Sequence, residues 1–147
     1  MSMGGPALRL QLANDDAALE PARLAVLEFL APLSPSPRAV YAVELVLEEV
    51  LSNEIKYAFA AGADNGLRAE RGIELTVRLE PGAVVLHFED GGVAFDPLCA
   101  AAPLPPTSIA DAPIGGLGLV LVRNFAQSIR YERRDGRNCL TIGVALA

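Results

Sequence analysis

Residues 115–122 read Gly-Gly-Leu-Gly-Leu-Val-Leu-Val, a glycine-rich loop that runs directly into an apolar helix. The amides at a helix start point outwards and attract anions, so this loop is a candidate phosphate cradle. Its candidate contact residues are Gly115, Gly116, Leu117, Gly118 and Leu119. The stretch lacks the Lys and Ser/Thr of a Walker-type loop and does not match the pattern GxGxxG. A flexible hinge before a buried helix is therefore an equally valid interpretation of this segment alone.

A second informative segment is ELVLEEVLSNEIKYAF, residues 44–59, whose apolar residues repeat at helical spacing. Glu49, Asn53 and Lys56 lie together on the polar side of that helix. An amide oxygen such as that of Asn53 suits Mg²⁺, and a carboxylate one turn away can accept a proton from a hydroxyl. Lys56 suits a phosphate oxygen. The alternative is that this strip is simply the solvated face of an amphipathic helix.

A third segment, Asp90–Pro97, reads DGGVAFDP and follows the strand-like run 84–88. An ionised Asp90 accepts hydrogen bonds without donating them, which favours an exocyclic amino group such as adenine N6. Gly92 lets the backbone approach a ligand closely. Phe95 could cover a base, but it could equally belong to the core. An ordinary Asp-Gly-Gly turn remains the alternative.

The histidine and the two cysteines carry no recognisable site pattern. We expect His87 to be structural, since it lies mid-strand with no carboxylate or cysteine partner at useful spacing. Cys99 and Cys139 show no CxxC or histidine spacing, so we expect reduced thiols, with a disulfide between them as the alternative.

Composition excludes several classes of protein. The 147 residues suit one domain, 1–147, and the 52% hydrophobic and 20% charged residues predict a folded globular protein. A net charge of −6 argues against sequence-independent nucleic-acid binding. No apolar run is long enough to span a bilayer and the start lacks a secretory pattern, so we expect a cytoplasmic protein without membrane contact.

The coarse pattern predicts the element order β-α-α-β-β-loop-α-β-β. Strands are expected near 8–12, 73–80, 84–88, 129–134 and 138–145, with helices over 15–31, 38–61 and 117–127. Asn14 is the expected cap of the first helix, although Pro21 could mark its true start. The proline-rich segment 96–114 is expected to be a lid. The predicted fold class is α+β: a two-layer α/β sandwich with a mixed, mainly antiparallel sheet and helices on one face.

Taken in order, the three motifs resemble those of the GHKL (Bergerat-fold) ATPases, and specifically the anti-sigma-factor serine/threonine kinases of the RsbW type. The resemblance spans roughly residues 40–145. It implies ATP and Mg²⁺ as cofactors, with Asn53 binding the metal and Glu49 acting as the general base. It further implies that Asp90 binds the adenine amino group.

The remaining site residues follow from the same resemblance. Lys56 and Tyr57 would stand near the phosphates and the base, Gly92 would allow close approach, and the glycine loop 115–119 would hold the phosphates under the lid. Ala94, next to Phe95, stands where many members have glycine. The lid carries no Lys or Arg, whereas relatives often place a cation there. Arg123 or Lys56 could supply it.

The resemblance also implies partners. The substrate would be an anti-sigma-factor antagonist of the STAS type, and the same kinase would sequester a sigma factor. A nucleotide-gated binding module with little phosphoryl transfer is the alternative, favoured by the lid without basic residues. The apolar N-terminal strand and helix could support a homodimer.

Overall fold

The computed structural model describes residues 7–13, 16–53, 72–91 and 122–147. Residues 122–125 of this part of the chain form a short helical segment, and its longer regular elements are five strands and two α-helices. They are β1 (Ala7–Leu12), α1 (Leu19–Leu30), α2 (Pro37–Asn53), β2 (Ile73–Glu80), β3 (Ala83–Asp90), β4 (Ser128–Arg134) and β5 (Arg137–Ala145). No helix in these ranges combines the length and apolarity that crossing a membrane requires.

Several predicted residues lie outside the described ranges. They are Lys56, Tyr57, Gly92, Ala94, Phe95 and the glycine loop from Gly115 to Leu119, together with the predicted lid 96–114.

The strands form one sheet in the order β1-β2-β3-β5-β4, and every described pairing is antiparallel. The predicted α+β fold with a mainly antiparallel sheet is therefore confirmed. Two tight turns set the strand register. Gly82 has φ 73°, while Asp135 and Gly136 have φ 53° and 75°, the positive values that an Asp-Gly hairpin favours.

One face of the sheet carries the core. Along β2, Ile73, Leu75 and Val77 are fully buried, whereas the residues between them are only partly covered. This alternation follows from the two-residue period of a strand. The helices cover the buried face with a matching apolar set: Ala22, Val26, Leu30, Val43, Val46, Leu47, Val50 and Leu51. The result is the predicted two-layer arrangement.

The start of α2 is fixed by Ser36, a cap that the sequence pattern did not reveal. Its Oγ accepts a hydrogen bond from the Ala39 amide at 3.0 Å, and Pro37 occupies the first helical position, where its missing N–H costs nothing. The Ser36 amide donates to the Leu146 carbonyl at 3.0 Å. The helix carrying the candidate catalytic residues is thus anchored to the end of the sheet.

The expected start of the first helix was wrong. Residues Asp16–Ala18 form a short 3-10 turn and α1 begins at Leu19, with no side-chain cap at Ala18. Pro21 explains the shift, because a proline is tolerated in the first turn, where its N–H has no helical partner, but not further inside a helix.

We predict that Gly72→Ala destabilises the sheet more than Gly143→Ala does. A Cβ at Gly72 would lie 2.5 Å from the Leu12 carbonyl oxygen, so the β1–β2 backbone would have to move. At Gly143 the nearest obstacle, at 2.7 Å, is the Ser128 hydroxyl, which can rotate away. Urea denaturation should show a loss of about 1–3 kcal/mol for the first variant and less for the second. Equal losses would contradict the reasoning.

Candidate functional site

Asp90 is the last residue of the central strand β3 and is only 1% exposed. It lies opposite Ile73 of the neighbouring strand β2, on the same sheet face as the core residue Phe88. An ionised carboxylate in such a position is costly unless it is hydrogen-bonded. Its position at the strand end agrees with the sequence prediction.

Asn138 supplies such a bond from the neighbouring strand. The β3–β5 register sets Asn138 opposite Asp90, and Asn138 Nδ2 donates to Asp90 Oδ1 at 2.9 Å. The amide oxygen of Asn138 in turn accepts from the Tyr131 hydroxyl at 2.5 Å and from Arg133 Nη1 at 3.1 Å. Because two donors hold that oxygen, the amide can only present its NH₂ group to Asp90. This chain of bonds fixes the direction of the Asp90 carboxylate.

Sequence reasoning missed Asn138, Tyr131 and Arg133, although a signal was present. The Asp135-Gly136 turn pairs Arg133 with Asn138, and the two-residue period then places Tyr131 on the same face. Counting back from the turn would have shown that this face carries polar side chains next to Asp90.

Glu49 lies in the second half of α2 and is partly buried, whereas its neighbour Glu48 is exposed. The flanking residues Val46 and Val50 belong to the core. Glu49 is thus set against an apolar surface rather than on a fully solvated helix face. Asn53 closes the described part of this helix, one turn beyond Glu49.

The helical segment 122–125, which follows the glycine loop in sequence, packs against α2. Val122 is buried in the core, and the Phe125 ring packs edge-on against Tyr41 with centroids 5.2 Å apart. The Arg38 guanidinium lies 4.5 Å above the same ring. The predicted helix 117–127 ends earlier than expected, since Ala126 and Gln127 are not helical. The Gln127 amide donates to the Gly143 carbonyl of β5 at 2.7 Å instead.

His87 lies on the sheet face opposite the helices, where it has partners that were not expected from the sequence. His87 Nε2 lies 2.9 Å from Glu89 Oε2, and its Nδ1 lies 2.8 Å from Thr141 Oγ1. The buried Cys139 thiol is also near, so the prediction that His87 has no carboxylate or cysteine partner was wrong. Residues two apart share a strand face, which that prediction overlooked. The hydrogen bond from His87, with a second from Arg137, holds the pKa of Glu89 below its usual value.

Comparisons with known proteins agree with this architecture. A family model described as "Histidine kinase-like ATPase domain" matches residues 12–144. The chain belongs to this family. Among named relatives, "Serine/threonine-protein kinase BtrW" of Bordetella bronchiseptica is 38% identical over 107 residues, which is 73% of this chain and 71% of the relative. "Anti-sigma F factor" of Priestia megaterium is 27% identical over 111 residues, covering 76% and 72%. The predicted membership of the RsbW-type GHKL proteins is confirmed.

Two solved structures share the fold. One holds the RsbU and RsbW domains of Rv1364c from Mycobacterium tuberculosis, with a TM-score of 0.65, 17% identity and 97% of this chain aligned. This chain spans 32% of that longer one. The other is the SiaB–SiaC complex from Pseudomonas aeruginosa, with a TM-score of 0.59 and 19% identity over 93% of this chain and 88% of that one. At these identities the likeness is one of fold.

The family implies ATP as a ligand, and the chemistry of the described side chains fits ATP. Asp90 places a buried carboxyl group at the end of β3, and α2 carries a half-buried carboxyl group at Glu49. If this position served only the stability of the fold, an apolar residue would stabilise it more than a buried carboxyl group that needs its own amide donor.

We predict that Asn138→Ala lowers both stability and order around Asp90. The change removes the donor at 2.9 Å and leaves the Tyr131 hydroxyl without its acceptor at Asn138. Loss of a buried hydrogen-bond partner costs about 1–3 kcal/mol. Urea denaturation would measure it, with Arg133→Ala as the control because Arg133 is exposed and its bond is longer. A smaller loss of stability for Asn138→Ala than for Arg133→Ala would contradict the view that Asn138 is the more important of the two residues for stability.

Proposed function

We propose that this protein is an ATP-dependent serine/threonine kinase of a partner-switching system. The observation that carries the proposal is the buried Asp90 carboxylate, oriented by Asn138 at the end of β3 in a chain of the histidine kinase-like ATPase family. A carboxylate in this position suits the amino group of adenine, because it accepts hydrogen bonds and offers no donor.

The residues on α2 would carry the chemistry. ATP would supply the γ-phosphoryl group, and Asn53 would hold Mg²⁺ through its amide oxygen. Glu49 would take the proton from a hydroxyl of the partner protein as that oxygen bonds to the γ-phosphorus and the bond to ADP breaks. The protein's contribution is mainly positioning and charge neutralisation, since phosphoryl transfer needs little covalent help.

The remaining contacts are proposed from the sequence motifs. Lys56 and Tyr57 would lie near the phosphates and the base, and Gly92, Ala94 and Phe95 would line the adenine side. The loop 115–119 would enclose the phosphates through its backbone amides. The segment 96–114 contains no Lys or Arg, so a cation for the developing charge would come from Lys56 or Arg123.

The proposed protein partner is an anti-sigma-factor antagonist of the STAS type, with a sigma factor as the second, competing partner. The names of the relatives, a serine/threonine-protein kinase and an anti-sigma factor, support this choice, as does the two-protein SiaB–SiaC structure. Phosphorylation would add a charge of about −1.5 to −2 to the antagonist surface and so break its binding. The exchange would take place in the cytoplasm.

The second candidate function is a nucleotide-gated binding module with little transfer activity. The absence of Lys and Arg from residues 96–114 favours it, because relatives often place a cation near the phosphates there. In this alternative, ATP stabilises a partner-binding conformation by binding it more tightly than the other conformation.

We predict that Glu49→Gln abolishes phosphoryl transfer while ATP binding persists. The amide cannot accept the proton of the attacking hydroxyl, so transfer should fall roughly 10²–10⁴-fold. The assay incubates labelled ATP, Mg²⁺ and a candidate antagonist encoded next to this chain with wild type or variant. Glu48→Gln is the matched control, since it removes an exposed carboxylate from the adjacent position of the same helix.

Two results would contradict the kinase assignment. Equal labelling by wild type and Glu49→Gln would remove Glu49 from the reaction. Saturable ATP binding by the wild type without label on any candidate antagonist would favour the binding module.

We predict that Asp90→Asn loses ATP affinity while the chain stays folded. An amide has one acceptor oxygen, which Asn138 would occupy, and its NH₂ would face the adenine amino group. The expected loss is about 1.5–3 kcal/mol, or roughly ten- to a hundredfold in Kd by calorimetry. Glu74→Gln is the control, because Glu74 lies on the sheet face away from the helices. Unchanged affinity in a folded Asp90→Asn variant would remove Asp90 from the site.

A further inference from the structure

The sheet face opposite the helices gathers three metal-binding side chains. His87 and Glu89 are two residues apart on β3, and Cys139 pairs with Glu89 from β5. One ligand atom from each lies within 4.8 Å of the other two. This cluster lies on the other side of the sheet from Asp90, so it takes no part in the nucleotide site.

The chemistry of the three donors favours a particular class of metal. Imidazole nitrogen, carboxylate oxygen and thiolate sulfur together suit Zn²⁺ and similar thiophilic cations, whereas Mg²⁺ and Ca²⁺ prefer oxygen alone. We propose that His87, Glu89 and Cys139 bind a thiophilic divalent cation of the Zn²⁺ class, with a fourth position left to water. Three protein ligands plus water is a common zinc arrangement.

The distances allow such a site with small adjustments. Zinc–ligand bonds of 2.0–2.3 Å in a tetrahedron place the donor atoms roughly 3.5 Å apart. His87 Nε2 and Glu89 Oε2 are 2.9 Å apart and must separate slightly. All three ligand atoms lie within 4.8 Å of one another, so changes in side-chain torsion can bring them to this spacing. The side chains of His87 and Glu89 are 21% and 23% exposed, so a cation can reach them from solvent, while Cys139 forms the floor.

The hydrogen bonds around the cluster already hold two of the ligands. Glu89 Oε2 lies 2.9 Å from His87 Nε2, the nitrogen that a cation between these two side chains would bind. With a cation on Nε2, the proton on Nδ1 would be donated to Thr141 Oγ1, 2.8 Å away. Arg137 continues to bind the other oxygen of Glu89, at 3.1 Å. Such outer contacts orient metal ligands in known sites.

The charge balance supports a divalent cation. The Cys139 thiol releases one proton to solvent, and the resulting thiolate and the Glu89 carboxylate together neutralise the metal's two charges. Without metal, burial and the nearby Glu89 raise the pKa of Cys139, so the thiol stays protonated. Arg134, beside Cys139 and 3.5 Å from Glu132, acts in the opposite sense and favours the thiolate.

The test is a Co²⁺ titration of the reduced, nucleotide-free full chain in excess Mg²⁺. Co²⁺ is a visible substitute for Zn²⁺, and a thiolate ligand gives it a charge-transfer absorption in the near ultraviolet. We expect one equivalent per chain, the band to disappear on addition of Zn²⁺, and one proton released per cation. His87→Gln and Glu89→Gln should each weaken binding about tenfold or more, and Cys139→Ser should abolish the band.

Two matched controls accompany these variants. Cys99→Ser removes the other thiol and should keep the band, while Glu80→Gln removes a carboxylate at the far end of the same sheet face and should bind normally. If Cys139→Ser fails to fold, His87→Gln tests the proposal instead. His87 is partly exposed, so its substitution is expected to leave the fold intact. Absence of saturable binding, or equal affinity in folded His87→Gln and wild type, overturns the proposal.

Discussion

The antiparallel register of β3 against β5 is the constraint on which both candidate sites depend. It sets Asp90 opposite Asn138 on the helix-covered face and Glu89 opposite Cys139 on the other face. A shift by one residue would exchange the two faces and place apolar side chains in water. Burial of Phe88 and Leu140 between sheet and helices therefore fixes the register, and with it the partners of the two neighbouring carboxylates.

Most of the fold could be predicted because its signals are local. Alternating apolar residues gave β2 over its observed range, and Asp135-Gly136 gave the β4–β5 hairpin. The start of α1 was predicted wrongly because two nearby residues indicate different starts. Asn14 is a possible N-cap, whereas Pro21 favours a start close to itself. Pro21 accounts for the observed start: the chain makes a 3-10 turn at Asp16–Ala18, and α1 then packs Ala22 and Val26 on the core.

The candidate sites were only partly predictable, since their partners are distant in sequence. Asp90 could be singled out from its strand and turn, but Asn138 comes 48 residues later and is brought to it only by strand pairing. A similarly long separation in sequence hides Cys139 from His87. The pattern within one segment predicts which face of a strand a residue occupies. Predicting its partner on another strand also requires the strand order, and here β5 lies between β3 and β4.

The neutral amide of Asn138 beside Asp90 matters for the proposed role of that carboxyl group. A guanidinium in direct contact would neutralise the carboxylate and compete with an adenine amino group for its oxygens. Asn138 donates a neutral hydrogen bond to Asp90 Oδ1, and Arg133 donates to the oxygen of the same amide. The Asn138 bond orients the carboxyl group without itself adding a positive charge beside it. In the proposed site, an acid oriented in this way would still offer its oxygens to the amino group of a ligand.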